Sequence, residues 1–147
     1  EVFSPVLAGS SADALVVMEI SEILRPGFLN LLKKEGTIIM NNFTVLPINT
    51  KKEEYPKLAE IEKALEDFAV IKVDANQMVY EMGDTSGRSA NVLILGILST
   101  IKPFKIIPEQ IWTDALSSIS TNETDRSLNI QAFDKGRKYL ENTVHHG

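Results

Sequence analysis

Three short apolar runs in the first half of the chain constrain its fold most. Asp13 to Glu19 reads D-A-L-V-V-M-E, Thr37 to Asn41 reads T-I-I-M-N, and Ala69 to Val73 reads A-V-I-K-V. Each has the length of a strand and is too short for a stable helix. A continuous apolar run predicts a strand buried on both faces, as in a parallel sheet. Parallel neighbours need a long crossover between them, and the intervening stretches are long enough to be helical. The first such helix is expected from Ser21, which can cap it, through Lys34. Pro26-Gly27 would interrupt or kink it early, and Gly36 would stop it. The second is expected over Tyr55 to Asp67, with Leu58, Ile61 and Leu65 on one face. Before it come a loop, Asn42 to Thr50, and a solvated charge run, Lys51 to Glu54.

The remainder reads as helical. Asp74 and Gln77 match a capping box, and Gly83 would end the helix that follows. Asp84 to Arg88 is polar and reads as a flexible surface loop. Ala90 to Thr100 is apolar nearly all round, the pattern of a buried helix. Gly96 inside it costs about 1 kcal/mol against alanine, so it should mark the close approach of another backbone. Pro108 suits the first turn of a helix running through Ser118. Asn122 and Asp125 could cap the last helix, where Leu128, Ala132 and Phe133 form an apolar stripe. Met18, Met40, Met78 and Met82 read as core fillers, and Trp112 as core or interface. The expected fold class is α/β: a Rossmann-like three-layer sandwich with a mainly parallel sheet and a helical C-terminal third, in a single domain over residues 1–147.

Composition removes several functions. The net charge of −5 leaves no basic face, so nucleic acid is not an expected partner. The longest apolar run, Val92 to Leu98, is far too short to span a bilayer, and no signal peptide opens the chain. Cysteine is absent. Disulfides, thiolate nucleophiles and cysteine-bound clusters are therefore excluded, which suits a reducing cytoplasm. The chain opens on Glu1 rather than methionine, so a fragment or processed chain is expected. His145-His146-Gly147 reads as a tag remnant, which leaves a serine triad or a zinc site without a credible histidine.

The candidate site residues cluster where strands end. Glu19 closes the first strand and Glu22 opens the next segment, at the carboxyl edge where α/β sheets place ligands. A plainer reading stands beside it: Glu19 satisfies backbone donors in the turn, Glu22 favours the helix dipole, and Arg25 pairs with Glu22 at i,i+3. Asn41 and Asn42 follow the second strand and suit either that edge or a simple turn. Asn91 and Asn129 lie within apolar helical stretches and read as buried residues tying helix to loop. Gly83 to Gly87 is the nearest approach to a phosphate loop, but it lacks the preceding strand and the lysine. Catalytic residues and metal ligands are not expected within the chain.

The residue string resembles a known family. Val2-Phe3-Ser4-Pro5-Val6-Leu7, Ala12-Asp13-Ala14-Leu15 and Glu19-Ile20-Ser21-Glu22-Ile23-Leu24-Arg25 are similar to a signature of the gamma-type domain of 2-oxoacid:acceptor oxidoreductases. Gly36 to Asn41, Pro47-Ile48, Tyr55-Pro56, Val73-Asp74-Ala75, Glu81-Met82-Gly83, Asn91 to Gly96 and Asn129 to Gly136 continue the resemblance in order. Asp84 stands where the family usually has asparagine. The E-x-x-E-x-L-R segment is most like the small (beta) subunit of indolepyruvate oxidoreductase, with pyruvate and 2-oxoglutarate gamma subunits next. The family's N-terminal strand and glycine-rich turn are missing, so the resemblance covers the C-terminal three-quarters of such a subunit.

The resemblance implies a subunit of an enzyme that oxidatively decarboxylates a 2-oxoacid to an acyl-coenzyme A and passes electrons to ferredoxin. It also implies that this chain binds no cofactor. Thiamine diphosphate and iron–sulfur clusters would sit on a large partner subunit, and the chain would be inactive alone. Glu19, Glu22, Arg25, Asn41 and Asn91 are the expected substrate or interface residues. A homodimer is expected in isolation if that partner is absent. A non-catalytic α/β binding or assembly module is the rival reading.

Overall fold

The computed structural model describes residues 8–45 and 56–144. The motifs at Val2–Leu7 and Pro47-Ile48, the Lys51–Glu54 charge run, Tyr55 and the terminal His145-His146-Gly147 lie outside the described residues. The chain forms two compact units, residues 1–73 and 74–147.

Among the described residues the first unit forms a three-stranded parallel sheet in the order β1-β2-β3, with β1 Ala12–Val17, β2 Leu32–Asn41 and β3 Ala69–Val73. The class is α/β, as the spacing of apolar runs predicts. Leu15 pairs with Ile38 and Val17 with Met40, so these four point to one face. There they meet Ile20 and Ile23, and Ile61 and Leu65 of helix α1, Leu58–Leu65. Burying Ile61 and Leu65 contributes about 1.5–3 kcal/mol each.

Three expectations fail here for physical reasons. The helix over Ser21–Lys34 does not form. Arg25 precedes Pro26 and adopts the extended ψ of 128° that a following proline favours, and Gly27 turns left-handed at φ 79°. Two short 3-10 turns, Ile20–Leu24 and Leu29–Leu31, take its place, and β2 begins at Leu32. Gly36 therefore lies inside β2 rather than at a helix end. A side chain there would come within 2.4 Å of Leu32 Cδ1. The pairing jumps from Ala12–Leu32 to Ala14–Thr37, an irregularity beside which Lys33 bonds Asp13 at 2.6 Å. Finally, β1 is not buried on both faces. Among the described residues it is an outer strand, and Val16 and Met18 are 38% and 40% exposed, so Met18 is not a core filler. Leu58 of α1 is likewise exposed.

The second unit is helical: α2 Ala75–Glu81, α3 Ala90–Leu98, α4 Glu109–Ile119, α5 Glu123–Arg137 and α6 Tyr139–Val144. Helix α2 ends as expected at Gly83, in the left-handed region at φ 96°. Asp74 precedes α2, but its side chain makes no cap bond, so the capping box is not formed. Asn122 does cap α5, accepting from Asp125 N at 2.9 Å. Helix α3 is buried nearly all round, as its composition predicts. Gly96 marks a backbone contact: an added Cβ would lie 2.2 Å from Phe133 O, and one on Gly136 would lie 1.9 Å from Leu93 O. The two glycines let α3 and α5 cross at backbone distance. Around the crossing, Trp112 packs on Phe133 with ring centroids 6.2 Å apart. Arg137 lies over the Phe133 ring and bonds Ser99 Oγ at 3.0 Å and Glu109 at 3.1 Å.

Candidate functional site

The chain leaves every strand of a parallel sheet at its carboxyl edge, where α/β folds hold ligands. In the first unit Asn41, at the end of β2, is only 1% exposed, and its Nδ2 donates to Met18 O at 3.2 Å. Asn42 N donates to Val73 O at 2.8 Å. The ends of all three strands are thus stitched together. Glu19 caps the following 3-10 turn, accepting from Ser21 N at 3.1 Å, from the Ser21 hydroxyl and from Val45 N at 3.3 Å. Its carboxylate organises the turn, as the plainer sequence reading has it.

Glu22 and Arg25 form the expected ion pair at 2.6 Å on the exposed rim. Exposed pairs of this kind contribute about 0.2–1 kcal/mol. A double-mutant cycle on Glu22→Ala and Arg25→Ala, read by urea unfolding, is expected to give a coupling below about 1 kcal/mol, falling with added salt. A larger, salt-insensitive coupling would mean that the pair is structural. In the same unit Val16, Met18, Phe43 and Val45 have exposed apolar side chains.

Asn91 lies in the second unit. It is exposed rather than buried, and its Oδ1 accepts from Val92 N at 2.9 Å. An apolar helix without periodicity gives no signal for which position faces outward, so the sequence misassigns it. It borders a cavity of about 280 Å³ that sequence reasoning missed. Asn129, half-buried, ties α5 to the preceding turn through Ser120 Oγ at 3.2 Å.

The wall of that cavity is the loop expected to be flexible. It is organised around Asp84, which is 6% exposed. Its Oδ1 accepts from Ser86 N at 3.0 Å, Ser86 Oγ at 2.6 Å and Gly87 N at 3.1 Å, and its Oδ2 accepts from Ser89 N at 2.8 Å and Ser89 Oγ at 2.6 Å. Burial alone would raise the Asp84 pKa, but the bonds from Ser86 and Ser89 outweigh it and hold the carboxyl well below the usual carboxylate range. A D-x-S-x-x-S string is the sequence signal for such a turn.

The arrangement bears on cofactors. The loop most like a phosphate cradle has its backbone N–H groups directed at its own aspartate, so they do not serve an external phosphate. Among the described residues no group of three or more His, Asp or Glu side chains could hold a metal ion, and the sequence has no cysteine to bind a cluster. These residues do not fit thiamine diphosphate or an iron–sulfur cluster. Among the described residues no helix is long and apolar enough to cross a membrane.

Comparison with known proteins adds the following. The family model described as pyruvate ferredoxin/flavodoxin oxidoreductase matches residues 2–139. No curated protein matches the sequence. Among solved structures, the gamma subunit of a keto/oxoacid ferredoxin oxidoreductase from Geobacter sulfurreducens PCA has a similar fold, with a TM-score of 0.60 and 19% identity. The likeness covers 89% of this chain and 66% of that one, so the chain spans slightly less than two thirds of that subunit's length.

Proposed function

Since the chain belongs to the pyruvate ferredoxin/flavodoxin oxidoreductase family, we propose that it acts as a small subunit of a cytoplasmic 2-oxoacid:ferredoxin oxidoreductase. The family match over residues 2–139 is the observation that carries this reading, and the gamma-subunit fold agrees with it. In that enzyme a 2-oxoacid is oxidatively decarboxylated to an acyl-coenzyme A. In our reading thiamine diphosphate and iron–sulfur clusters reside on a larger partner subunit; among the described residues no side-chain group could hold a metal ion. We read residues 1–147 as one domain of the subunit. Its part is structural: the carboxyl edge of the sheet, with Glu19, Glu22, Arg25 and Asn41 on or behind it, faces the partner or the substrate. Asn91 belongs to the same proposed set. The E-x-x-E-x-L-R string favours indolepyruvate as the 2-oxoacid. In isolation the chain would cover its apolar edge with a second copy.

The chain alone is expected to turn over nothing. Supplied with indolepyruvate, coenzyme A, thiamine diphosphate and an electron acceptor, it should reduce acceptor no faster than the blank. Reduction above the blank would show catalytic machinery within the chain and sink this reading.

A further inference from the structure

We propose that the exposed face of α4 is the contact for a second copy of this chain, the two α4 helices packing antiparallel about a twofold axis at Ala115. The inference does not rest on the family reading, and the surface is not the sheet edge of the first unit.

Helix α4 presents two apolar stripes. Positions four apart share a face of a helix. Trp112 and Leu116 form the inward stripe: Leu116 is buried and Trp112 packs on Phe133 of α5. Ile111, Ala115 and Ile119 form the other, and all three are exposed, the isoleucines at 58% and 71%. A surface helix ordinarily turns one apolar stripe to its core and a polar face to water, so the second stripe is surplus to the fold of the unit. Single exposed apolar residues are commonplace, whereas a contiguous row marks an interaction surface. The polar neighbours bond within the helix. Gln110 Nε2 donates to Asp114 at 2.7 Å, and Ser118 Oγ donates to Ala115 O at 2.7 Å. A partner can therefore pack on the stripe with these groups at the rim.

Two features select a copy of the chain as the occupant. The stripe is large-small-large, Ile-x-x-x-Ala-x-x-x-Ile, and reads the same in both directions about Ala115. An isologous contact requires such a self-complementary patch. Ile111 of each copy meets Ile119 of the other, and the small Ala115 lets the backbones approach at the axis. Charge follows the same symmetry. The exposed Lys102 and Lys105 precede α4, and among the described residues neither has an ion-pair partner. Glu123 and Asp125 follow it, and Asp125 borders the same cavity as Ile119. Even counting Glu109, which Arg137 holds, and Arg126, which pairs with Glu123, the first end is net positive and the second net negative. Antiparallel packing sets the cationic end of each helix at the acidic end of the other and opposes their dipoles.

The chain has no cysteine, so an introduced thiol reports one contact. Ala115→Cys, at the axis, should form a disulfide with its own copy under mild oxidation. Gln110→Cys, exposed but off the stripe, should not. Ile111→Cys and Ile119→Cys should link to each other when the two chains are mixed. Each by itself should stay unlinked, because eight residues of helix hold like positions about 12 Å apart, beyond disulfide reach. Sedimentation equilibrium follows the unmodified contact. A patch of this size belongs to the weak class, so dimer should build up over the micromolar to millimolar range. Ala115→Glu, which sets like charges at the axis, should raise the dissociation constant about tenfold or more while Trp112 fluorescence stays native. Val45→Lys, at an exposed position in the first unit, should leave it unchanged. Monomer at every concentration overturns the proposal. So does disulfide formation in Gln110→Cys equal to that in Ala115→Cys, self-linking of Ile111→Cys as fast as the mixed pair, or a dimer lost in Val45→Lys and kept in Ala115→Glu.

Discussion

Replacing Gly136 with alanine will strongly destabilise the helical unit. The added Cβ would stand 1.9 Å from Leu93 O and 2.9 Å from Leu93 C, and these are backbone atoms of α3 that cannot rotate away. Relief requires α3 and α5 to separate, and separation strips contacts from Leu93, Ile97 and Phe133, each fully buried. Overpacking in a core typically costs about 1–3 kcal/mol, and a clash with backbone belongs above that range. Net stabilities run to about 5–15 kcal/mol, so a loss of more than about 3 kcal/mol is expected to lower the urea midpoint sharply. Trp112, the only tryptophan, packs on Phe133 and reports the transition by fluorescence. Gly9→Ala is the control. Its Cβ would make an ordinary 3.6 Å contact, and the variant should stay within about 0.5 kcal/mol of wild type. If Gly136→Ala matched that control, the close crossing of α3 and α5 would be wrong.

Asp84 carries the second large effect. Asp84→Ala leaves the N–H groups of Ser86, Gly87 and Ser89 without their acceptor, that of Ser89 in a buried position. Bonds to a charged acceptor are worth about 1.5–3 kcal/mol each, so a cost of about 3 kcal/mol or more is expected even after water enters. Asp84→Asn should cost less, about 1–3 kcal/mol. Its single oxygen can serve Ser86 and Gly87, and the Ser89 hydroxyl can rotate to accept, but Ser89 N–H then faces an amide donor. The variants also differ in acid. The folded-state pKa of Asp84 is depressed. Its contribution is therefore complete above the unfolded value of about 3.9 and lost as pH falls below that toward the folded value. Wild type should lose stability there by up to about 1.4 kcal/mol per pH unit from this one group, and Asp84→Asn should lack that part of the slope. Identical acid limbs in urea titrations at several pH values would show that Asp84 is not the buried acceptor.

Much of this architecture is legible in the chain because it rests on local chemistry. The apolar runs at Ala12–Val17 and Ala69–Val73 are strands because their length and composition suit nothing else. Gly96 announces a backbone contact because a glycine inside a good helix needs one. The Asn122 cap and the Glu22–Arg25 pair follow from spacing alone. The failures are equally physical. Lys33 to Gly36 pass for a helix end by composition, yet Leu32–Asn41 forms one long strand, because Pro26 had already broken the helix and pairing with β1 recruits the rest. Val16 and Met18 look like core residues because a run of apolar letters does not say whether a strand is central or outer. Asn91 and the cavity beside it depend on α3, the Asp84 loop and α5 meeting in space, which sequence spacing does not encode.

The central claim, a small subunit that works with a larger thiamine- and cluster-bearing partner, is tested most directly by recovering the native complex. The tagged chain would be expressed in its source cells and captured under anaerobic conditions. Co-purifying chains would then be identified by mass spectrometry, and the eluate assayed with several 2-oxoacids, coenzyme A and ferredoxin. The account predicts a larger chain carrying thiamine diphosphate and iron–sulfur clusters, with acceptor reduction that depends on a 2-oxoacid. Recovery of the chain without such a partner, and without any 2-oxoacid-dependent reduction, would contradict it.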